Sequence, residues 1–130
     1  MNRMIVSALL AGLVATAAPA YAEEYASGAI KTMETAKGEV LTDANGMSLY
    51  TFDKDAQGVS NCYGDCAVKW PPVTAAAGAM AADDFSLVTR KDGAQQWAFK
   101  GMPLYLWQGD KKPGDVSGDG VGGVWHLAKE

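Results

Sequence analysis

The chain has 130 residues, with 11 basic and 15 acidic side chains, a net charge of −4, one histidine and two cysteines. This length suits one domain with a single modest core. The basic residues are scattered in an acidic chain, and exposed turns account for the neighbouring pairs Arg90 with Lys91 and Lys111 with Lys112, so the composition excludes a nucleic-acid-binding surface.

The beginning of the chain, residues 1–22, has the three parts of an export signal peptide. Arg3 supplies the positive charge, residues 4–14 form the apolar stretch, and Ala20, Tyr21 and Ala22 form a small-residue cleavage site. The apolar stretch is shorter than the roughly 20 residues of a membrane-spanning helix. No cysteine lies near the cleavage site to accept a lipid. We therefore expect a periplasmic or secreted protein that begins at Glu23 and has no membrane anchor.

The remaining chain predicts one domain with an internal repeat. Residues 23–38 show no clear period and predict a flexible N-terminal arm. Residues 39–130 predict a single all-β domain whose pseudo-repeat occupies 39–73 and 85–130. The Ala- and Gly-rich residues 74–82 predict a flexible connector. Helical periodicity is not sustained anywhere in the mature chain, so we expect little helix outside the signal peptide.

The first half of the domain predicts a hairpin followed by a loop. Strands are expected at residues 40–42 and 47–52, joined through Asn45 and Gly46, because both residues of an Asn-Gly turn tolerate positive φ. A polar loop follows at residues 53–65. The two consecutive prolines after Trp70 then mark an edge or a corner, because proline cannot continue a central strand.

The second half repeats this plan. Strands are expected at residues 85–89, 95–99, 104–107 and 124–127, with a glycine- and aspartate-rich stretch before the last one. Short strands of β-branched and aromatic residues between Gly, Asn and Asp turns favour an antiparallel all-β domain. We predict a small sandwich or open barrel built from two related β-hairpin units.

A ten-residue segment occurs in both halves. Residues 46–55 are GMSLYTFDKD, and residues 101–110 are GMPLYLWQGD, so the offset is 55 (101 − 46). The Gly, Met, Leu, Tyr and final Asp are identical, while Phe52 is exchanged for Trp107. Self-similarity at a fixed spacing indicates a repeated structural unit.

Each copy has the pattern tyrosine, any residue, aromatic, any two residues, aspartate. The residues are Tyr50, Phe52 and Asp55, then Tyr105, Trp107 and Asp110. Around them lie SNCYGDC at 60–66, WPP at 70–72, DG at 92–93, Gln96, PGD at 113–115 and GVW at 123–125. Together these resemble the secreted or lipoprotein repeat family of bacterial exported proteins with the Yx(FWY)xxD motif. The resemblance implies an exported location and a repeated fold unit, and it supplies no reaction.

The two cysteines are separated by three residues. In an oxidising compartment, neighbouring cysteines of a small domain usually pair, so we expect a structural disulfide between Cys62 and Cys66. The alternatives are a redox-active dithiol, although the spacing is not C-x-x-C, and a soft copper site that adds His126, Met47 and Met102. These alternatives define a second function, a metal-binding or redox-linked envelope protein that uses Cys62, Cys66 and His126.

The acidic loops contain weak metal-ligand candidates. Residues 53–58 begin like a calcium loop, but its twelfth position is Gly64, where a bidentate glutamate is needed. We expect Asp55 and Asp110 to cap turns by accepting backbone N–H bonds. No cofactor is expected. The weak metal candidates are Asp53, Asp55, Asp115, Asp119 and His126.

The aromatic residues are expected to form most of the core. The buried hydroxyls of Tyr50 and Tyr105 would need partners, for which Asp55 and Asp110 are the candidates. In the alternative interpretation, the six motif residues line a shallow groove for a peptide, a glycan or a small hydrophobic ligand.

Enzyme motifs such as G-x-S-x-G and H-E-x-x-H are missing from the sequence. The sequence therefore favours a non-catalytic binding or structural module of the periplasm or cell envelope. Its partner would be another envelope protein, a glycan or a small ligand.

Overall fold

The computed structural model describes residues 21–130, and the side chains from residue 23 onward. It contains one short helix, α1 (Asp65–Lys69), and two 3-10 turns, Ala26–Gly28 and Val121–Gly123. The strands are β1 (Tyr21–Tyr25), β2 (Ile30–Thr35), β3 (Gly38–Asp43), β4 (Tyr50–Phe52), β5 (Phe85–Thr89), β6 (Gln95–Phe99), β7 (Met102–Pro103) and β8 (Trp125–Leu127).

The strands form three small antiparallel sheets. Their orders are β1-β2-β3, β4-β8 and β5-β6-β7. The predicted all-β class and the low helix content are therefore confirmed. Antiparallel hairpins form at β2-β3 and at β5-β6, and the second of them matches the strands expected at residues 85–89 and 95–99. The first hairpin lies earlier than predicted, since β3 pairs with β2 over its whole length and meets the next segment through the bridge Thr42↔Ser48. Within residues 21–130 the sheets do not close into a barrel.

The N-terminal segment differs from the flexible arm expected for residues 23–38. This segment contains most of β1 and all of β2, which pairs with β3 in continuous register from Ile30↔Asp43 to Thr35↔Gly38. The sequence gives little sign of this strand because Thr32, a polar residue, occupies an inward position and is 0% exposed. The expected signal peptide lies outside the described residues except for Tyr21 and Ala22 of its expected cleavage site, which belong to β1.

The two halves exchange their last strands. Strand β8, from the second half, pairs with β4 of the first half in the register Tyr50↔Leu127 to Phe52↔Trp125. Reciprocally, the Val73 N–H donates to the Leu104 carbonyl at 3.0 Å, as the Ala128 N–H does to the Leu49 carbonyl at 2.8 Å. Within each of these two bonds the donor comes from one half and the acceptor from the other. Each half is therefore completed by backbone from the other half.

The core has two parts. The first is mainly aliphatic and also contains Phe85, Trp97 and Phe99. The second lies where the halves meet, and it is mainly aromatic. Its buried members are Val40, Tyr50, Phe52, Cys62, Trp70, Tyr105, Trp125 and Leu127, and Trp107 packs against them. The junction of the two repeats is thus the aromatic centre of the molecule.

Candidate functional site

The duplicated motif lies at the junction of the two halves. Residues alternate between the faces of a strand, so β4 directs Tyr50 and Phe52 to the same side. Tyr50 also pairs directly with Tyr105, because the N–H of each residue donates to the carbonyl of the other, at 2.8 and 2.9 Å. Both tyrosines are 0% exposed.

The tyrosine of each repeat binds the aspartate of the other repeat. The Tyr50 hydroxyl donates to Asp110 Oδ2 at 2.7 Å, and the Tyr105 hydroxyl donates to Asp55 Oδ2 at 2.7 Å. Each phenol therefore has the partner that a buried hydroxyl needs. This crossed pairing holds the two repeats together through side chains as well as through backbone.

The second oxygen of each aspartate caps its own loop. Asp55 Oδ1 accepts the Asn61 N–H at 2.7 Å, and Asp110 Oδ1 accepts the Ser117 N–H at 2.9 Å. Each carboxylate thus fixes the loop that follows its strand while it holds the opposite tyrosine. The geometry matches the capping function expected from the sequence.

Burial determines the protonation of these groups. Desolvation raises the pKa of both Tyr50 and Tyr105, and the hydrogen-bonded aspartates raise it further. Both phenols therefore stay protonated and act as donors. Desolvation also raises the pKa of Asp55, against the lowering effects of the Tyr105 hydroxyl, the Asn61 N–H and the charge of Arg90.

Four stacked rings run through the junction, and we call them the aromatic column. The order is Phe52, Trp125, Trp70, Trp107, with ring centroids 4.2, 3.8 and 4.1 Å apart. Trp70 and Trp125 occupy equivalent positions of the two repeats, as do Phe52 and Trp107, so the column follows the repeat. Each contact in the column therefore joins a ring of one half to a ring of the other half.

Each tyrosine meets the column edge-on. Tyr50 contacts Trp70 with centroids 5.4 Å apart at 80°, and Tyr105 contacts Trp125 at 5.2 Å and 89°. Gly118 lies against the first of these pairs, where a Cβ atom would come within 2.9 Å of both rings. Its N–H donates to the Tyr50 hydroxyl at 3.1 Å. A side chain at residue 118 would therefore displace the pair.

A buried arginine extends the network and corrects one sequence-based expectation. Arg90 was expected in an exposed turn, but it is 5% exposed. Its Nη1 donates to Ser60 Oγ at 3.0 Å and to Gln96 Oε1 at 2.7 Å, and its Nη2 donates to the Cys62 carbonyl at 2.7 Å. Ser60 Oγ lies 2.6 Å from the Tyr105 hydroxyl, which links the guanidinium to the motif.

The sequence carried a signal for this arginine. Val88, two residues before Arg90, is buried, and side chains two residues apart in a strand share a face. Continuing the alternation of β5 by one step therefore directs Arg90 inward. Ser60 and Gln96 carry no comparable signal, because only the tertiary fold brings them to the guanidinium.

The predicted disulfide is confirmed. Cys62 and Cys66 are bonded, with Cα atoms 5.2 Å apart, and the chain has only these two cysteines. The bridge closes the loop that presents the Cys62 carbonyl to Arg90. Both sulfur atoms are therefore part of the framework around the motif.

The candidate metal ligands are engaged at separate places. His126 Nε2 lies 2.8 Å from Asp53 Oδ2 on the exposed face of β8, and Asp119 Oδ1 accepts the Leu127 N–H at 3.1 Å. Asp115 Oδ2 accepts two backbone N–H bonds, and the one from Lys111 has the largest effect in lowering the pKa of this carboxyl. Among the described side chains, a compact acidic group forms only at Glu23, Glu39 and Glu130, all of them exposed.

The six motif residues come together, but mostly inside the protein. Tyr50, Tyr105, Phe52 and Asp110 are buried, while Asp55 and Trp107 are half-buried. A small apolar pocket of about 190 Å³ lies beside Trp107, and we call it the Trp107 pocket. Its lining consists of Met47, Ser48, Pro71, Leu106, Trp107, Gln108 and Asp110.

A larger depression lies away from the motif, and we call it the connector groove. It has a volume of about 1030 Å³. Its walls are residues 26–29, 43–45 and 76–82, and its floor is formed by residues 72–74, Trp97 and Leu106. The predicted connector between the halves is thus one wall of an open groove.

Comparison with known proteins gives the family. Within the described residues, no helix is long and apolar enough to cross a membrane. Neither a curated protein nor a solved structure matches the chain. A family model described as a secreted repeat of unknown function matches residues 31–74 and again residues 86–129, at the same offset as the duplicated segment. The chain therefore belongs to the family of secreted repeats of unknown function, and it contains two copies of the repeat.

Proposed function

We propose that this protein is a non-catalytic binding module of the periplasm or cell envelope, with the connector groove as its ligand-binding surface. The observation that carries the proposal is the groove itself, since its volume of about 1030 Å³ reaches the upper end of the roughly 300–1,000 Å³ of small-molecule sites. The duplicated motif serves as the framework that joins the two halves.

The lining of the groove favours an uncharged apolar ligand. Eight alanines contribute to it, and Asp43 is its one charged residue. Val73, Trp97 and Leu106 supply larger apolar surface at the floor. Small side chains leave the space open, so the ligand is an apolar molecule such as an alkyl chain. A glycan fits less well, because sugar hydroxyls need more polar partners than this lining offers.

The family and the sulfur chemistry of the chain support our proposal for its location. The family is secreted, and residues 1–22 have the composition of a cleavable signal peptide. Both cysteines are consumed by the disulfide, so neither is free to accept a lipid. We infer that the mature protein is released into the periplasm or the medium without a lipid anchor.

A fluorescent apolar probe tests the proposal. N-phenylnaphthylamine, whose emission rises in apolar surroundings, should bind saturably to the purified protein. Ala77 is exposed in the groove wall, and Ala77→Glu should weaken binding by placing a charge against the probe. Ala56, an exposed alanine outside the groove, provides the matched control Ala56→Glu.

The comparison of the two variants decides the result. Loss of probe binding in Ala77→Glu alone, with both melting curves unchanged, supports the groove as the site. Equal binding by the wild type and Ala77→Glu contradicts the proposal. Equal loss in both variants contradicts it as well, because the effect then comes from net charge.

A further inference from the structure

The aromatic column has a geometry that packing alone does not favour. Aromatic pairs usually prefer centroid distances of about 4.5–7 Å and offset or edge-on contacts to a face-to-face sandwich. Here three successive contacts are 4.2, 3.8 and 4.1 Å long, and the central Trp70–Trp125 pair is parallel, at 0°. Such short stacked contacts give the strongest electronic overlap between neighbouring rings.

The two ends of the column differ chemically. At one end is Phe52, which is 8% exposed and whose phenyl ring is hard to oxidise. At the other end is Trp107, an easily oxidised indole, half-buried and open to the Trp107 pocket. A Cβ atom at Gly109 would come within 2.2 Å of Trp107 Nε1, so the glycine makes room for the larger ring. The equivalent residue in the first repeat is Lys54.

Each inner tryptophan contacts a tyrosine that is already bonded to a base. Tyr50 meets Trp70 and donates to Asp110, while Tyr105 meets Trp125 and donates to Asp55, both at 2.7 Å. A phenol that loses an electron becomes a very strong acid. A carboxylate at hydrogen-bond distance can take its proton at once and leave a neutral radical.

We propose that the aromatic column is a one-electron relay, which accepts an oxidising equivalent at Trp107 from an outer-sphere one-electron oxidant and holds it as a neutral radical on Tyr50 or Tyr105. Trp107 gives one electron to the oxidant and regains it from Trp70. Tyr50 then gives its electron to Trp70 and its proton to Asp110 Oδ2. In balance, the oxidant gains one electron, Tyr50 loses a hydrogen atom's equivalent, and Asp110 becomes protonated. Tyr105 and Asp55 perform the same step through Trp125.

The relay is independent of the connector groove. It gives a reason for the difference between Phe52 in the first repeat and Trp107 in the second. A framework that only needed stacked rings could use Phe at both ends. Trp107, with Gly109 beside it, supplies the oxidisable ring at the accessible end. The disulfide and the buried network then keep the two tyrosine–aspartate pairs in place.

Flash oxidation tests the relay. The oxidant is tris(bipyridine)ruthenium(III), generated by a light flash with a sacrificial quencher, and the product is read by rapid-freeze electron paramagnetic resonance. The background protein carries Tyr21→Phe, Tyr25→Phe and Tyr63→Phe, so that only Tyr50 and Tyr105 can give a tyrosyl signal. We expect this protein to give a neutral tyrosyl radical, and Trp107→Phe in it to lose that signal while its melting curve shows a folded protein.

A second variant decides the matter if Trp107→Phe fails to fold. Phe52→Trp with Lys54→Gly copies the accessible end of the column into the first repeat, and we expect it to increase the tyrosyl yield. Three results would overturn the proposal. They are the absence of a tyrosyl signal in the background protein, an undiminished signal in folded Trp107→Phe, and an unchanged yield in folded Phe52→Trp with Lys54→Gly.

Discussion

The crossed tyrosine–aspartate pairs can be compared by removing one hydroxyl at a time. Tyr50→Phe and Tyr105→Phe make the same chemical change at equivalent positions of the two repeats, and both side chains are 0% exposed. Each variant therefore serves as the matched control for the other. The surroundings of the two aspartates differ, so the two losses of stability should differ as well.

Tyr50→Phe should be the more costly substitution. It leaves Asp110, which is 7% exposed, without a partner for Oδ2, and it also removes the acceptor of the Gly118 N–H. A hydrogen bond to a charged group contributes about 1.5–3 kcal/mol, and an unsatisfied buried group places the loss at the upper end of this range. We expect a decrease of about 3 kcal/mol in the free energy of unfolding.

Tyr105→Phe should cost about half as much. Asp55 is half-buried, so water can replace the lost donor, and Ser60 keeps its bond to Arg90. The expected decrease is about 1.5 kcal/mol, the lower end of the same range. Urea unfolding followed by tryptophan fluorescence measures both as shifts of the midpoint at constant m-value. Equal shifts, or a larger shift for Tyr105→Phe, would show that burial of the aspartate does not set the cost.

Three further predictions concern the groups around these pairs. The raised pKa of Asp55 means that the folded state binds the proton of this carboxyl more tightly than the unfolded state does. The free energy of unfolding should therefore decrease as the pH rises above 3.8, the ordinary pKa of an aspartate. Urea midpoints measured from about pH 3 upward should therefore fall relative to those of Asp55→Asn, and a constant difference would contradict the shift. Replacing both Cys62 and Cys66 by Ala should lower the free energy of unfolding by about 2 kcal/mol, because the small disulfide ring is lost. A larger decrease, measured by thermal unfolding, would show that the disulfide also holds the Cys62 carbonyl in place for Arg90. Gly118→Ala should cost about 1–3 kcal/mol by crowding the Tyr50 and Trp70 rings, whereas Gly93→Ala, which meets no atom within 4 Å, measures backbone strain alone.

The sequence predicted those features that depend on local pattern. Short apolar and aromatic strands between Gly, Asn and Asp turns indicated an antiparallel all-β domain, and the fixed offset between the two similar segments indicated two copies of one unit. The short spacing of Cys62 and Cys66 indicated the disulfide. Each of these signals lies within a stretch of a few residues or in a direct comparison of two such stretches.

Features that depend on how the halves meet could not be predicted in this way. The tyrosines were expected to bind aspartates, but no local pattern specifies that each tyrosine binds the aspartate of the other repeat. This crossing arises because β8 pairs with the first half while residues 71–73 pair with the second half. The strand β2 was missed because Thr32, buried with its hydroxyl unpaired in the described structure, interrupts the apolar alternation. Arg90 was expected in an exposed turn because charged residues are seldom buried unless they are paired, although the alternation of β5 directs it inward.

Where the two repeats agree and where they differ separates framework from function. The residues that recur at the fixed offset, namely Leu49 with Leu104, Tyr50 with Tyr105, Asp55 with Asp110 and Trp70 with Trp125, make the contacts that hold the halves together. Duplication constrains both members of such a pair, because each completes the other half. Divergence at a position in this junction removes that reciprocity. The repeats differ at two such positions, where Phe52 corresponds to Trp107 and Pro71 corresponds to His126, so one repeat could change there without losing the fold. Pro71 and Trp107 both line the Trp107 pocket.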